Sequence, residues 1–129
     1  MKDLFIPYEQ ALALKELGFN KNCLMSICID GSNEYIKADF PKGENFNVFD
    51  LYVSLPVYQQ AFRWFREKHE LYSAIVPKKC WPNNFVSGIE WYIEICGGNR
   101  DEIGPGGTYS YEEAELACLI KLIEIVKNK

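Results

Sequence analysis

Apolar and polar residues alternate most cleanly at positions 89–96, where Ile89, Trp91, Ile93 and Ile95 interleave with Glu90, Tyr92, Glu94 and Cys96. A period of two sends the first set to one face and the second to the other, which predicts a strand with one buried and one wet side. Sheets solvated on one side are characteristically antiparallel, and that fits hairpin connections with helices stacked on the opposite face. Shorter strands are predicted at 23–29 and 34–39, joined by the turn residues Asp30-Gly31-Ser32-Asn33, and at 71–76, where Pro77 is expected to break the run. The stretch 40–50 has no sustained period and reads as a loop, followed by a short strand at 51–53.

Helical periodicity occupies the rest. Three times the chain writes a tyrosine, two Glu/Gln residues and an alanine: Tyr8-Glu9-Gln10-Ala11, Tyr58-Gln59-Gln60-Ala61 and Tyr111-Glu112-Glu113-Ala114. Each is expected to open a helix. The first, at 7–17, should end at Gly18 in a left-handed cap, with Phe19 supplying the hydrophobic contact that accompanies such caps. For the second, Ser54 is the expected N-cap and Pro56 stands near the first turn. Tyr58, Ala61, Phe62, Trp64 and Phe65 gather on its inner side, and Gln59, Arg63, Arg66 and Glu70 point away. The third, at 111–127, is announced by Ser110 with Glu113 three residues later, a capping box. Leu116, Leu119, Ile120, Ile123 and Val126 form its core stripe, but Cys118, Leu122 and Ile125 lie off it. A helix apolar most of the way round runs centrally or meets a second copy of the chain, so Cys118, Leu122 and Ile125 are candidate self-association residues. Together these elements predict a single α+β domain over 1–129. It has two layers, an antiparallel sheet of about four strands with three helices, in the order α-β-β-α-β-β-α: a duplicated helix-hairpin unit and a closing helix.

Composition agrees with a folded domain, since 129 residues at 48% hydrophobic and 25% charged can bury a full core. The formal net charge of −4 disfavours a general nucleic-acid binder, because affinity for phosphate backbones rests on Lys and Arg. No run approaches a membrane span, and no secretory signal is expected, since Asp3 and Pro7 interrupt the start. A cytoplasmic location is therefore expected.

Candidate chemistry is thin. Five cysteines without a Cys-x-x-Cys pair and one histidine, His69, do not make a zinc site, so no metal or cofactor is expected and the thiols read as small hydrophobes. A Cys-His dyad through His69 would need the fold to supply a nucleophile. The segment 63–81 carries a local balance of +3, and Arg63, Trp64, Arg66, Lys68 and Trp81 form a candidate stacking and phosphate-contact patch for single-stranded nucleic acid. The glycine loop at 104–108 lacks the lysine and hydroxyl of a phosphate cradle and reads as a connector. Glu112, Glu113 and Glu115 fit the favourable end of a helix dipole better than acid/base catalysis.

The segment 55–68 (LPVYQQAFRWFREK), the ending 111–127 (YEEAELACLIKLIEIVK) and the opening Ile6-Pro7-Tyr8-Glu9-Gln10-Ala11 with Leu17-Gly18-Phe19 cover about a third of the chain. They resemble a family of small uncharacterised proteins encoded in phages, prophages and other mobile elements of gut bacteria. The resemblance implies a setting and no catalytic residue. The expected function is that of a nonenzymatic accessory protein that binds an unknown protein partner or itself, as a homodimer. The alternative is a nucleic-acid-associated module using the patch at 63–81.

Overall fold

All three tyrosine-to-alanine tetrads start a helix in the computed structural model: α1 spans Tyr8–Glu16, α2 Tyr58–His69 and α3 Tyr111–Lys127. In each, the alanine N–H closes the first turn, on Pro7 O at 2.9 Å, Val57 O at 3.2 Å and Ser110 O at 3.2 Å. Ala11, Ala61 and Ala114 are also fully buried. The smallest helix-favouring side chain thus stands on the buried side of each first turn. The structure describes residues 4–29, 34–38, 42–79, 89–97, 100–103 and 110–128.

Between the helices lie β1 (Met25–Cys28), β2 (Tyr35–Lys37), β3 (Tyr52–Ser54), β4 (Tyr72–Lys79), β5 (Ile89–Gly97) and β6 (Arg100–Ile103). The class is α+β and every strand pair is antiparallel, but the expected single sheet is two three-stranded sheets, β2-β1-β3 and β4-β5-β6. In each, the third strand comes from a segment with a weak pattern. β3 starts one residue later than predicted, and β6, for which no strand is predicted, lies just before the glycine loop read as a connector, with Arg100 paired to Gly97 and Ile103 to Glu94. Pro77 does not break β4; it stands opposite Trp91 in the register. β4 is an edge strand, where a residue without an N–H is tolerated. The predicted turn at 30–33 lies outside the described residues.

The chain divides into two compact units, Met1–Trp64 and Phe65–Lys129, with α2 running across the boundary. In the first unit α1 lies against β3. Gly18 has φ +96°, its N–H reaches Lys15 O at 3.1 Å, and Phe19 N–H reaches Leu14 O at 2.9 Å, so both bonds of the anticipated C-terminal cap are made. Phe19 itself is buried. Ser54 is not the cap of α2. It is a buried residue of β3 whose hydroxyl accepts from Phe46 N–H at 3.0 Å. The cap position falls to Val57, whose N–H is bound by the Gln60 side chain at 3.2 Å, the reaching-back half of a capping box.

In the second unit α3 lies against β5 and β4. It starts as predicted, with Ser110 Oγ accepting from Glu113 N–H at 3.1 Å. Its buried residues are Ala114, Cys118, Leu119, Leu122, Ile123 and Ile125, and Ile120, expected in the core stripe, is exposed. The wheel was read one position out of phase, because an apolar excess on both flanks leaves its centre undefined. At the end of α2 the chain reverses through Glu70 at φ +56°. Gly97 packs so closely there that a Cβ would strike the Glu70 carbonyl oxygen and the Leu71 side chain.

Gly18→Ala is expected to cost about 1–2 kcal/mol, all of it backbone strain, because an added Cβ meets nothing within 4 Å at that φ. Urea denaturation followed by circular dichroism measures it, and an unchanged midpoint would rule out the left-handed cap.

Candidate functional site

The predicted basic and aromatic patch is only half assembled. Arg63, Arg66 and Lys68 are exposed on α2. Trp64 is 2% exposed and packs edge-on against Phe19, with ring centroids 5.5 Å apart. A ring inside the core cannot stack on a base, so Trp64 is removed from the patch; Trp81 lies outside the described residues. With Trp64 inside, Arg63 and Arg66 lie on the wet face of an ordinary amphipathic helix and Lys68 stands apart from them near its end.

The self-association residues are also corrected. Cys118, Leu122 and Ile125 are all buried within the single chain, where α3 lies against β5 and β4, and so are not surface residues. Burial pushes the Cys118 thiol up to about 11, Ser73 opposing the shift by a hydrogen bond and Glu115 adding to it by charge. Burial likewise pushes Cys23 up to about 12 against a hydrogen bond with Ser54. Both thiols stay neutral near pH 7 and are poor nucleophiles. Cys28 is buried too, and Cys96 is exposed on the wet face of β5. His69 packs beside Phe65 at 6.0 Å between ring centroids, and Cys80 lies outside the described residues. Among the described residues no group of His, Cys, Asp and Glu could hold a metal ion, and no helix is long and apolar enough to cross a membrane. Glu115 is raised by burial and then by Glu112, as neighbours on a first turn would be. The glycine loop at 104–108 lies outside the described residues.

What periodicity missed is a corner of the first unit. A 3-10 turn at Phe46–Val48 runs into β3 and presents three large apolar side chains within four residues: Val48, 68% exposed, Phe49, 46%, and Leu51, 56%. Asp50, between them, is exposed as well. Ile29 stands beside Leu51, its N–H bonded to Leu51 O at 2.8 Å, and is partly exposed.

This corner is fixed by side chains that reach it from afar. Lys15 of α1 donates its ammonium to Phe49 O at 2.7 Å and to Tyr52 O at 2.6 Å. Asn47 donates to Phe19 O at 2.9 Å while its own oxygen accepts from Ser54 N–H, also at 2.9 Å. Phe49 meets Tyr52 edge to face at 6.0 Å. Only Phe46 of the turn faces the core. A sequence signal existed in the cluster Phe46, Val48, Phe49 and Leu51 among Asn45, Asn47 and Asp50, but clusters without a period do not say which side is wet.

No protein-family model, curated protein or solved structure matches the chain.

At pH 8, iodoacetamide is expected to alkylate Cys96 in the native protein and to reach Cys23 and Cys118 only after denaturant is added, as read by peptide mass mapping. Rapid native labelling of Cys118 would mean that α3 opens. Because both folded thiols titrate above the unfolded value, their contribution to stability is complete below about pH 8.5 and is lost as pH rises toward 11 and 12.

Proposed function

We propose that this protein is a nonenzymatic, cytoplasmic accessory protein of a phage or other mobile element, and that it acts by binding another protein through the Val48, Phe49 and Leu51 corner. The resemblance to mobile-element proteins supports the setting. The observation that carries the binding mode is three neighbouring large apolar side chains held in solvent on a pinned main chain. Scattered surface hydrophobes are ordinary, but a contiguous group marks an interaction surface. Burying each such side chain fully is worth about 1.5–3 kcal/mol, and a loop already fixed loses little entropy on binding.

Charge selects the partner. Asp50 sits inside the corner and the chain carries −4 overall, so the complement is an apolar surface with a Lys or Arg beside it. A second copy would bring a second Asp50 and a further −4 to the interface, which makes a different protein the favoured partner over self.

Tagged wild-type protein, expressed in the host, is expected to retain a defined partner that also binds when both are purified. Phe49→Ser with Leu51→Ser should weaken that binding at least about tenfold, and Asp50→Lys should weaken it too, while thermal midpoints stay within about 3 °C. Binding unaffected by the double variant would refute the corner. A wild-type dimer in light scattering that the double variant splits would replace the foreign partner with self.

A further inference from the structure

Among the described strands, three of the four sheet edges are short or filled. β2 has three residues and β6 four, and the outer side of β3 takes Lys15 and Asn47. β4 is the exception, an edge strand of eight residues. Its register with β5 runs unbroken past Pro77, from Tyr72 opposite Cys96 to Lys79 opposite Ile89. A proline has no N–H to give a ladder, so the main chain of Pro77 faces away from β5. Groups two residues apart face the same way, which turns Ser73 and Ile75 outward and leaves Tyr72, Ala74 and Val76 to bond β5. The β5–β6 hairpin gives the same parity. Gly97 and Arg100 close it as a bonded pair, so Gly97 and Ile95 bond β6, while Glu94 turns the other way and bonds Ala74. Among the described residues, nothing else bonds the outward N–H and C=O of Ser73 or Ile75. Pro77 blunts one end of this edge, but residues 71–76 (LYSAIV) hold neither a charge nor a proline.

The open groups are complementary to themselves. With a second copy laid antiparallel and Ala74 on the two-fold axis, Ser73 of each chain comes opposite Ile75 of the other, and each such pair exchanges two bonds. All four outward groups of each chain are then satisfied. Pro77 comes opposite Leu71, whose N–H is already bonded to Phe65 O at 3.1 Å, so the proline takes no bond from the pairing. On the wet face Ala74 meets its own copy at the axis, and Tyr72 lies opposite Val76 on either side, an aromatic against a β-branched residue. Tyr72 is 54% exposed and Ala74 is exposed, so both gain cover that the single chain does not give them. The Glu94 carboxylates, each on the strand beside Ala74, would stand three strand spacings apart, about 14 Å, which is beyond a Debye length at physiological salt.

We infer that a second copy of this chain pairs along β4, making one antiparallel sheet in the order β6-β5-β4-β4-β5-β6 with α3 of both chains on one face. A foreign strand could match the same main chain, but it would not bring the reciprocal fit of Tyr72 with Val76 about a small residue on the axis. The pairing is independent of the Val48 to Leu51 corner. Each pair carries two such corners, and a partner that is itself repeated is held at both.

Sedimentation equilibrium of the full chain over about 5–500 µM tests the pairing, a range suited to a small interface. Wild-type protein is expected to pass from monomer to dimer within it. Ala74→Glu sets four carboxylates side by side across the paired strands and should weaken the dimer at least about tenfold, whereas Ala74→Lys places its ammonium groups between the Glu94 carboxylates and should keep it. Labelled Ala74→Glu protein should dimerise again when Ala74→Lys protein is added in excess, and Phe49→Ser with Leu51→Ser should dimerise as wild type does. A wild type that is monomeric at every concentration would overturn the pairing and leave the edge to a foreign strand. So would a dimer that Ala74→Glu does not weaken, one that Ala74→Lys weakens equally, a failure of rescue in the mixture, or a dimer that the corner variant splits.

Discussion

Main-chain polar groups withdrawn from water must be paired, and in a chain whose first sheet is built from strands of three and four residues, side chains have to do much of that pairing. β3 shows the constraint most directly. Leu51, Val53 and Leu55 turn toward β1, as the bonds from Ile29 N–H to Leu51 O and from Leu55 N–H to Met25 O fix, so Tyr52 and Ser54 turn their main chain outward. That outer edge is then closed by side chains: Asn47 accepts from Ser54 N–H and Lys15 donates to Tyr52 O. A bare edge would be a template for another strand, and here two side chains from outside the sheet fill it.

The same pairing explains why the exposed corner holds its shape. Lys15 reaches Phe49 O as well as Tyr52 O, and Asn47 joins the turn to the end of α1 through Phe19 O. The carbonyls of Phe49 and Tyr52 and the Asn47 side chain are spent on internal bonds, and Val48, Phe49 and Leu51 are left outward with Asp50. Bonds from an ammonium are charge-assisted and stronger than neutral ones. A loop of Gly and Ser in this position would lack these ties; this one is held by Lys15 and Asn47.

The readable parts of the sequence were those decided within one turn or one strand. The starts at Tyr8, Tyr58 and Tyr111, the Gly18 cap, the inner and outer sides of α2 and the alternation of β5 are all local, so the residues themselves declare them. The third strand of each sheet was less legible because three or four residues make a strand only when a longer or better-placed partner accepts them, as Met25–Cys28, more than twenty residues earlier, accepts Tyr52–Ser54, and the adjacent Ile89–Gly97 accepts Arg100–Ile103. Trp64 failed as a site residue for a related reason. Its place on α2 borders both a basic stripe and an apolar stripe, and only the presence of Phe19, forty-five positions earlier, decides that the ring goes inside.

The apolar surplus of α3 is settled by tertiary surroundings in the same way. Cys118, Leu122 and Ile125, off the expected stripe, are buried, and Ile120, on it, is exposed, so those three side chains are taken up within the chain. That shifts the search for binding surfaces from the greasiest segment to the segments where apolar or aromatic side chains stay wet despite rigid main chain. Among the described residues the turn into β3 meets that condition with three such side chains within four residues, whereas Tyr35 of β2 and Tyr72 of β4 stand singly.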